Sequence, residues 1–162
     1  MWNELSLMEK VFFDRKSFRE FSEKKVSSEL QDILLKVGYA APRSGGIPCI
    51  TITPITSDKD KKMCYKASFY QKAVLSAPLI YVISGDLDML GKKYKEPYLT
   101  SFIIQNAAVA TMNMINACQL LNIETCYIGG IRSEMLQKYF EMNETTKIIT
   151  LLAVGYKRSE EG

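Results

Sequence analysis

The chain contains no histidine. That absence removes Ser-His-Asp and Cys-His catalysis, and it removes the side chain that most often acts as a general base near neutral pH. Cysteine is also sparse. Cys49, Cys64, Cys118 and Cys126 form no C-x-x-C pair, so a zinc site is not expected, and free buried thiols in a reducing cytoplasm are. No apolar run approaches the roughly 20 residues that cross a bilayer. The stretch from Met1 to Lys10 carries Glu4 and Glu9 and does not resemble a signal peptide. Net charge is only +3, too mild for a nucleic-acid binder, which concentrates its basic residues in a stripe. If the protein is an enzyme, a cofactor is expected to carry the chemistry.

What is present is an ordinary globular composition, 47% apolar and 24% charged over 162 residues, enough for one domain with a real core. No repeat or linker interrupts it. Leu5, Met8 and Phe12 share a helical face, with Asn3 as a candidate cap. A second helix is expected from Ser28, where Ser28 and Gln31 have capping-box spacing, and it must end before Pro42. Cys49 to Ile55 alternates as a strand, and Pro54 means that it lies at an edge or ends there. Asp58 to Leu75 reads as one helix. Leu79 to Ile83 reads as a strand buried on both faces. A long helix from Tyr98 to Leu121 is apolar on several sides, which suits the centre of the fold or a subunit contact. Thr125 to Ile128, Ser133 to Phe140 and Ile148 to Val154 complete the order as strand, helix, strand. The expected class is α+β, a three-layer α/β/α arrangement with a mixed, mainly antiparallel central sheet, in a single domain over residues 1–162.

Four segments have the residue types for ligand binding. Arg15-Lys16-Ser17-Phe18-Arg19 places three cations and a hydroxyl in five residues, a set that matches phosphate. If extended, it turns Arg15, Ser17 and Arg19 to one side. Composition alone favours the plainer reading, a solvated basic patch. The loop Pro42-Arg43-Ser44-Gly45-Gly46 lets backbone approach a flat ligand, or is simply a helix-to-strand turn. Ile128-Gly129-Gly130 ends a strand with exposed peptide N–H groups, or is a plain strand-to-helix turn. Its spacing is not a dinucleotide fingerprint. Lys157-Arg158 either completes an anion site or is a frayed basic tail.

Taken in order, these pieces resemble the nitroreductase family of FMN-dependent enzymes. The matching motifs are Arg-Lys-Ser-x-Arg-x-Phe at Arg15 to Phe21, Ala41-Pro42 before a glycine-containing loop, Ala77-Pro78 before a strand, and Gln105-Asn106-Ala107-Ala108. Cys126-Tyr127-Ile128-Gly129-Gly130-Ile131 and the closing Val154-Gly155-Tyr156 follow. The Ser44-Gly45-Gly46 loop is similar to the short, thiazole/oxazole dehydrogenase-like branch and lacks the asparagine common in the other branch. The resemblance implies a cytoplasmic homodimer with FMN at the subunit interface and NAD(P)H as electron donor. Electrons would pass to a small flat acceptor such as a nitroaromatic or quinone. Arg15, Ser17 and Arg19 would grip phosphate and ribityl oxygens, with Lys157 and Arg158 completing the site. Lys16 would sit at the pyrimidine end of the ring, and Pro42 to Gly46 would reach the partner's FMN. Ile128, Gly129 and Gly130 would hold the ring at N5. Asp86 to Pro97 is the one candidate for a cover over the ring, and the ending at Gly162 leaves no long arm around a partner. A non-enzymatic flavin-storage protein on the same fold is the alternative function.

Overall fold

A computed structural model describes residues 2–158. Four strands form one antiparallel sheet in the order β1-β2-β4-β3: β1 (Ile50–Ile55), β2 (Leu79–Asp86), β3 (Glu124–Ile128) and β4 (Thr146–Gly155). Pro54 lacks an amide hydrogen, and its strand is an edge, as expected. The unbroken apolar run of β2 is central and buried throughout. All pairings between these strands are antiparallel. The parallel element is an isolated bridge from Ser17 to Thr125.

Alternation along the strands builds two cores. Leu79, Tyr81, Ile83 and Leu152 face one layer, made chiefly of α2 (Ser28–Tyr39) and α6 (Tyr98–Leu120). Ile80, Val82, Leu151 and Ala153 face the other, made of α3 (Asp58–Ala67), α4 (Lys72–Ser76) and α7 (Ser133–Tyr139). A bulge changes the register at Ile83/Ser84, skipping Ile149. It also reverses the alternation of β4, so that Ile148 joins Leu151 on the second face. Two of the polar groups taken into these cores bond to backbone: the Tyr81 hydroxyl donates to the Gln31 carbonyl at 3.1 Å, and the Thr150 hydroxyl to that of Ile128 at 2.8 Å.

Three local expectations change. Asn3 lies inside α1 (Trp2–Met8), which continues as a π turn over Glu9–Phe13, rather than capping it. The cap of α2 is Ser27, whose Oγ accepts from the Leu30 amide at 3.3 Å. Ser28 is already helical, and Gln31 turns back to donate to the Val26 carbonyl at 2.8 Å. The single helix read over Asp58 to Leu75 is two, because Phe69 and Tyr70 both adopt left-handed backbone, φ 56° and 61°. Nothing in the local composition announces that break, since neither residue is a glycine or asparagine. α3 is then clasped to α7 by Asp60, which accepts from Ser57 at 2.6 Å and from the Tyr139 hydroxyl at 2.8 Å. These two bonds hold its carboxyl below the usual range. Asp86 to Pro97 adds a short helix, α5 (Leu87–Gly91).

Candidate functional site

After the π turn, residues 15–21 leave helical structure and run beside the edge strand β3. The Phe18 amide donates to the Thr125 carbonyl at 2.8 Å. Phe18 packs on the second core and meets the Phe21 ring edge-on at 5.6 Å. Those two apolar anchors leave Lys16, Ser17 and Arg19 exposed, with Arg15 half-buried. The chain then crosses the end of β4. Phe21 pairs with Lys157, and the Ser22 amide donates to the Tyr156 carbonyl at 2.9 Å. The N-terminal basic segment and the Lys157-Arg158 pair therefore meet, although more than 130 residues separate them along the sequence.

Gly155 permits this crossing. A Cβ there would lie 2.6 Å from Pro78 Cδ and 2.9 Å from Phe21 Cδ1. Three of the motifs read from the sequence (Ala77-Pro78, Phe21 and Gly155-Tyr156) are thus one packing contact.

Arg19 and Arg158 line a hollow of about 450 Å³ together with Lys72, at the start of α4, and Tyr65. Among the described residues, no carboxylate forms an ion pair with Arg15, Lys16, Arg19, Lys72, Lys157 or Arg158. Glu20 lines the same hollow, so three cations face one carboxylate there and leave an excess of positive charge. Lys72 was not legible in the sequence: it sat inside what reads as one long helix, and the turn at Phe69-Tyr70 re-aims it. Arg19 also acts on Cys126, where its charge opposes the upward push of burial on the thiol.

Gly129 and Gly130 follow β3 on the same edge, about 14 Å from Thr125 by strand rise. Both are exposed. The turn is braced from α3 and α4: Gln71 Nε2 donates to the Gly130 carbonyl at 3.4 Å, and the Arg132 amide to that of Ala67 at 2.8 Å. Arg132 also lies over the Phe69 ring, 4.4 Å from its centroid, which restrains the strained turn. One edge of the sheet therefore carries a group of basic side chains at one end and exposed glycines at the other.

The Pro42 to Gly46 loop is elsewhere. It precedes β1, on the opposite edge and at the opposite end of the sheet. Asn106 of α6 pins it: Asn106 Oδ1 accepts from the Ser44 amide at 3.0 Å and the Ser44 hydroxyl at 2.9 Å. Gly45 sits at φ 62° beneath Lys93 and Tyr94, so Asp86 to Pro97 packs on this loop. Three strand spacings and about six residue rises separate it from the Ser17 segment, about 25 Å in all. No single small ligand touches both within one chain. Arg43, Gly45 and Gly46 are exposed. Neither a histidine nor a cluster of metal-ligating side chains occurs among the described residues.

A three-layer α+β chain on one antiparallel sheet with helices on both faces has the architecture of the nitroreductase fold. The sequence profile described as the Nitroreductase family matches residues 55–156, and the chain belongs to that family. YodC of Bacillus subtilis, assigned as an NAD(P)H nitroreductase, is 23% identical over 171 residues, covering 87% of this chain and 85% of its own. The FMN reductase (NADPH) of the same organism is 27% identical over 168 residues, covering 94% of this chain and 66% of its own. The structure of nitroreductase A from Vibrio parahaemolyticus superposes with a TM-score of 0.86 at 19% identity, over 95% of this chain and 68% of that one. The profile match leaves out Arg15 to Arg19 and Pro42 to Gly46, so those segments rest on their own geometry.

Proposed function

We propose that this oxidoreductase is FMN-dependent, takes electrons from NAD(P)H and passes them to a small flat acceptor, a nitroaromatic or a quinone. One observation carries the reading: the basic segment paired at Thr125 and the Gly129-Gly130 amides lie along one edge of the sheet, with about 14 Å of strand rise between Thr125 and Gly129. That arrangement fits a ligand with a phosphate at one end and a ring at the other. The names of two relatives, an FMN reductase (NADPH) and an NAD(P)H nitroreductase, support the same cofactor pair.

Bound FMN supplies the hydride chemistry. The chain binds and orients. Arg15, Ser17, Arg19, Lys157 and Arg158 hold the phosphate through charge-assisted hydrogen bonds. Lys16 brings positive charge to the ring side, which favours the reduced, more negative cofactor, and Lys72 stands with Arg19 and Arg158 at the phosphate end. The amides at Gly129 and Gly130, after Ile128, present donors to N5. A chain without histidine suits this division of labour, because hydride transfer needs no general base.

The Pro42, Arg43, Ser44, Gly45 and Gly46 loop serves the partner's cofactor in a homodimer, which accounts for its place at the far corner of its own sheet. Its Ser44-Gly45-Gly46 sequence supports the short, thiazole/oxazole dehydrogenase-like branch. The dimer reading has a second support. α6 buries one side, including Ile103, Ala107 and Met114, while Ile104, Val109, Met112 and Leu120 stay exposed. Asn116 adds a buried Oδ1 with no hydrogen-bond partner on the same helix. No described helix is long and apolar enough to cross a membrane. The four buried, unpaired cysteines support a reducing cytoplasm.

The visible spectrum and flavin content of the purified protein test the reading. Flavin absorption is expected, with bleaching by NAD(P)H and recovery on adding a quinone. Replacing Arg15 and Arg19 by alanine should lower FMN affinity by about a hundredfold or more, since each removes a charged hydrogen bond. Unchanged flavin content in that variant would remove the phosphate assignment. Bound flavin that NAD(P)H fails to bleach would favour storage.

A further inference from the structure

The Asp86 to Pro97 segment brings two polar groups onto the exposed glycines of the Ser44 loop. A Cβ at Gly45 would stand 2.8 Å from Lys93 Nζ and 2.7 Å from the Tyr94 hydroxyl, while one at Gly46 would meet nothing within 4 Å. The loop is therefore an open shelf with an ammonium and a phenol at its rim, and Arg43 is exposed beside them on the loop itself. These parts are held still. Asn106 fixes the loop backbone, and the Phe102 ring meets Tyr94 edge-on at 4.9 Å. The charges are not cancelled. Of the carboxylates in the segment, Asp86 accepts from the Met89 amide at 3.0 Å, Glu96 accepts from the Thr100 hydroxyl, and Asp88 lies in the first turn of α5. Among the described residues, none of the three pairs with Lys93 or Arg43. Beyond the shelf, Phe102 stacks on Tyr98 at 5.9 Å, and Tyr98 is 62% exposed.

We infer that this surface docks the far part of the dinucleotide donor, with Lys93 and Arg43 on its pyrophosphate and Tyr98 under its adenine. The inference rests on the flavin reading above, in which this loop meets the partner's cofactor. A nicotinamide stacked on that cofactor leaves its pyrophosphate one ribose away, next to the loop. Two linked phosphates carry two negative charges, which two cations on a fixed backbone match. The Tyr94 hydroxyl adds an uncharged donor between them. A neutral quinone or nitroaromatic makes no use of these groups. The adenine is a flat ring at the other end of the donor, and an exposed tyrosine whose back is already packed is a stacking platform for it. NADH and NADPH share all of these features, so the surface distinguishes donor from acceptor and not one donor from the other.

Calorimetric titration of the flavin-loaded protein with tetrahydro-NADH and tetrahydro-NADPH, which cannot give up hydride, tests this. Lys93→Ala should weaken both analogues about tenfold, the worth of one charged hydrogen bond, and Lys93→Arg should bind them as the wild type does. Tyr98→Ala should weaken both by about the same factor, through the lost stacking. In the Lys93 variants, FMN affinity, the circular dichroism spectrum and the rate at which a quinone reoxidises the reduced flavin should not change. Unchanged analogue binding in either alanine variant overturns the inference and leaves the flavin reading standing. So does a loss in Lys93→Ala that extends to FMN affinity or to quinone reoxidation, which makes Lys93 a support for the loop. Weakening of tetrahydro-NADPH alone moves the contact to the phosphate that only NADPH carries. Weakening of a carboxylated nitroaromatic alone gives the site to the acceptor, and each of these two results overturns the inference. Failure of the wild-type chain to bind FMN overturns both readings together.

Discussion

Gly155 is the residue on which most of the site's construction depends. It lies at the end of a central strand, and Pro78 and Phe21 close over it at distances no side chain tolerates. Gly155→Ala must push the residue 21 crossing outward or tilt β4. We expect a loss of about 1–3 kcal/mol by urea denaturation, as for other overpacked sites, with lowered flavin affinity, because Phe21 sets the path of the preceding basic segment. The sequence displayed this glycine as part of a terminal Gly-Tyr motif, but its reason lay in two residues far off in sequence. Arg15 and Arg19 were legible by type, and so were Gly129 and Gly130. Lys72 and Gln71 were not, since their roles follow from two left-handed aromatic residues whose chemistry gives no warning of a turn.

Among the elements, period and punctuation carried most of the fold. The strands at Ile50–Ile55 and Leu79–Asp86 and the helix at Tyr98–Leu120 stand close to where alternation and apolar runs put them. Boundaries set by capping were harder to read. Ser27 and Ser28 are adjacent and both suitable, and only Ser27 has its hydroxyl on the Leu30 amide. Ser27→Ala is therefore expected to cost about 1 kcal/mol. Ser28→Ala, at an exposed helical position, should stay within about 0.5 kcal/mol. Paired urea melts of the two variants check the assignment, and equal losses would return the cap to Ser28. The break between α3 and α4 was hidden for a different reason. Helix propensity continues through it, and the contacts that enforce it, Gln71 to Gly130 and Arg132 over Phe69, join segments about 60 residues apart.

At the scale of the molecule, the proposed reading would have one chain hold two halves of different sites. The loop pinned by Asn106 and the basic edge by Thr125 stand about 25 Å apart, by strand spacing and rise. Only an assembly puts both on one ligand. Val109 and Met112 lie on the exposed side of α6, where a twofold axis would bring them against their copies. Lysine at both positions should shift light-scattering mass from dimer to monomer. Association should weaken about a hundredfold or more, because several unpaired charges would be buried together. Flavin content should fall in parallel, although neither residue lies near the Ser17 segment. A monomer that keeps its flavin would show that one chain suffices.

The bridge between Ser17 and Thr125 has a consequence for solubility. β3 is an edge strand, and an uncovered edge invites another chain to pair with it. Here the cover is the same short segment that presents Arg15, Lys16 and Arg19, attached to the edge by the Phe18 amide. Guarding against strand-to-strand aggregation and the phosphate grip proposed above would thus fall to one stretch of chain. A ligand that holds this stretch in place also keeps the edge shut, so if the proposed flavin is that ligand, its shortage would leave the protein not only idle but sticky.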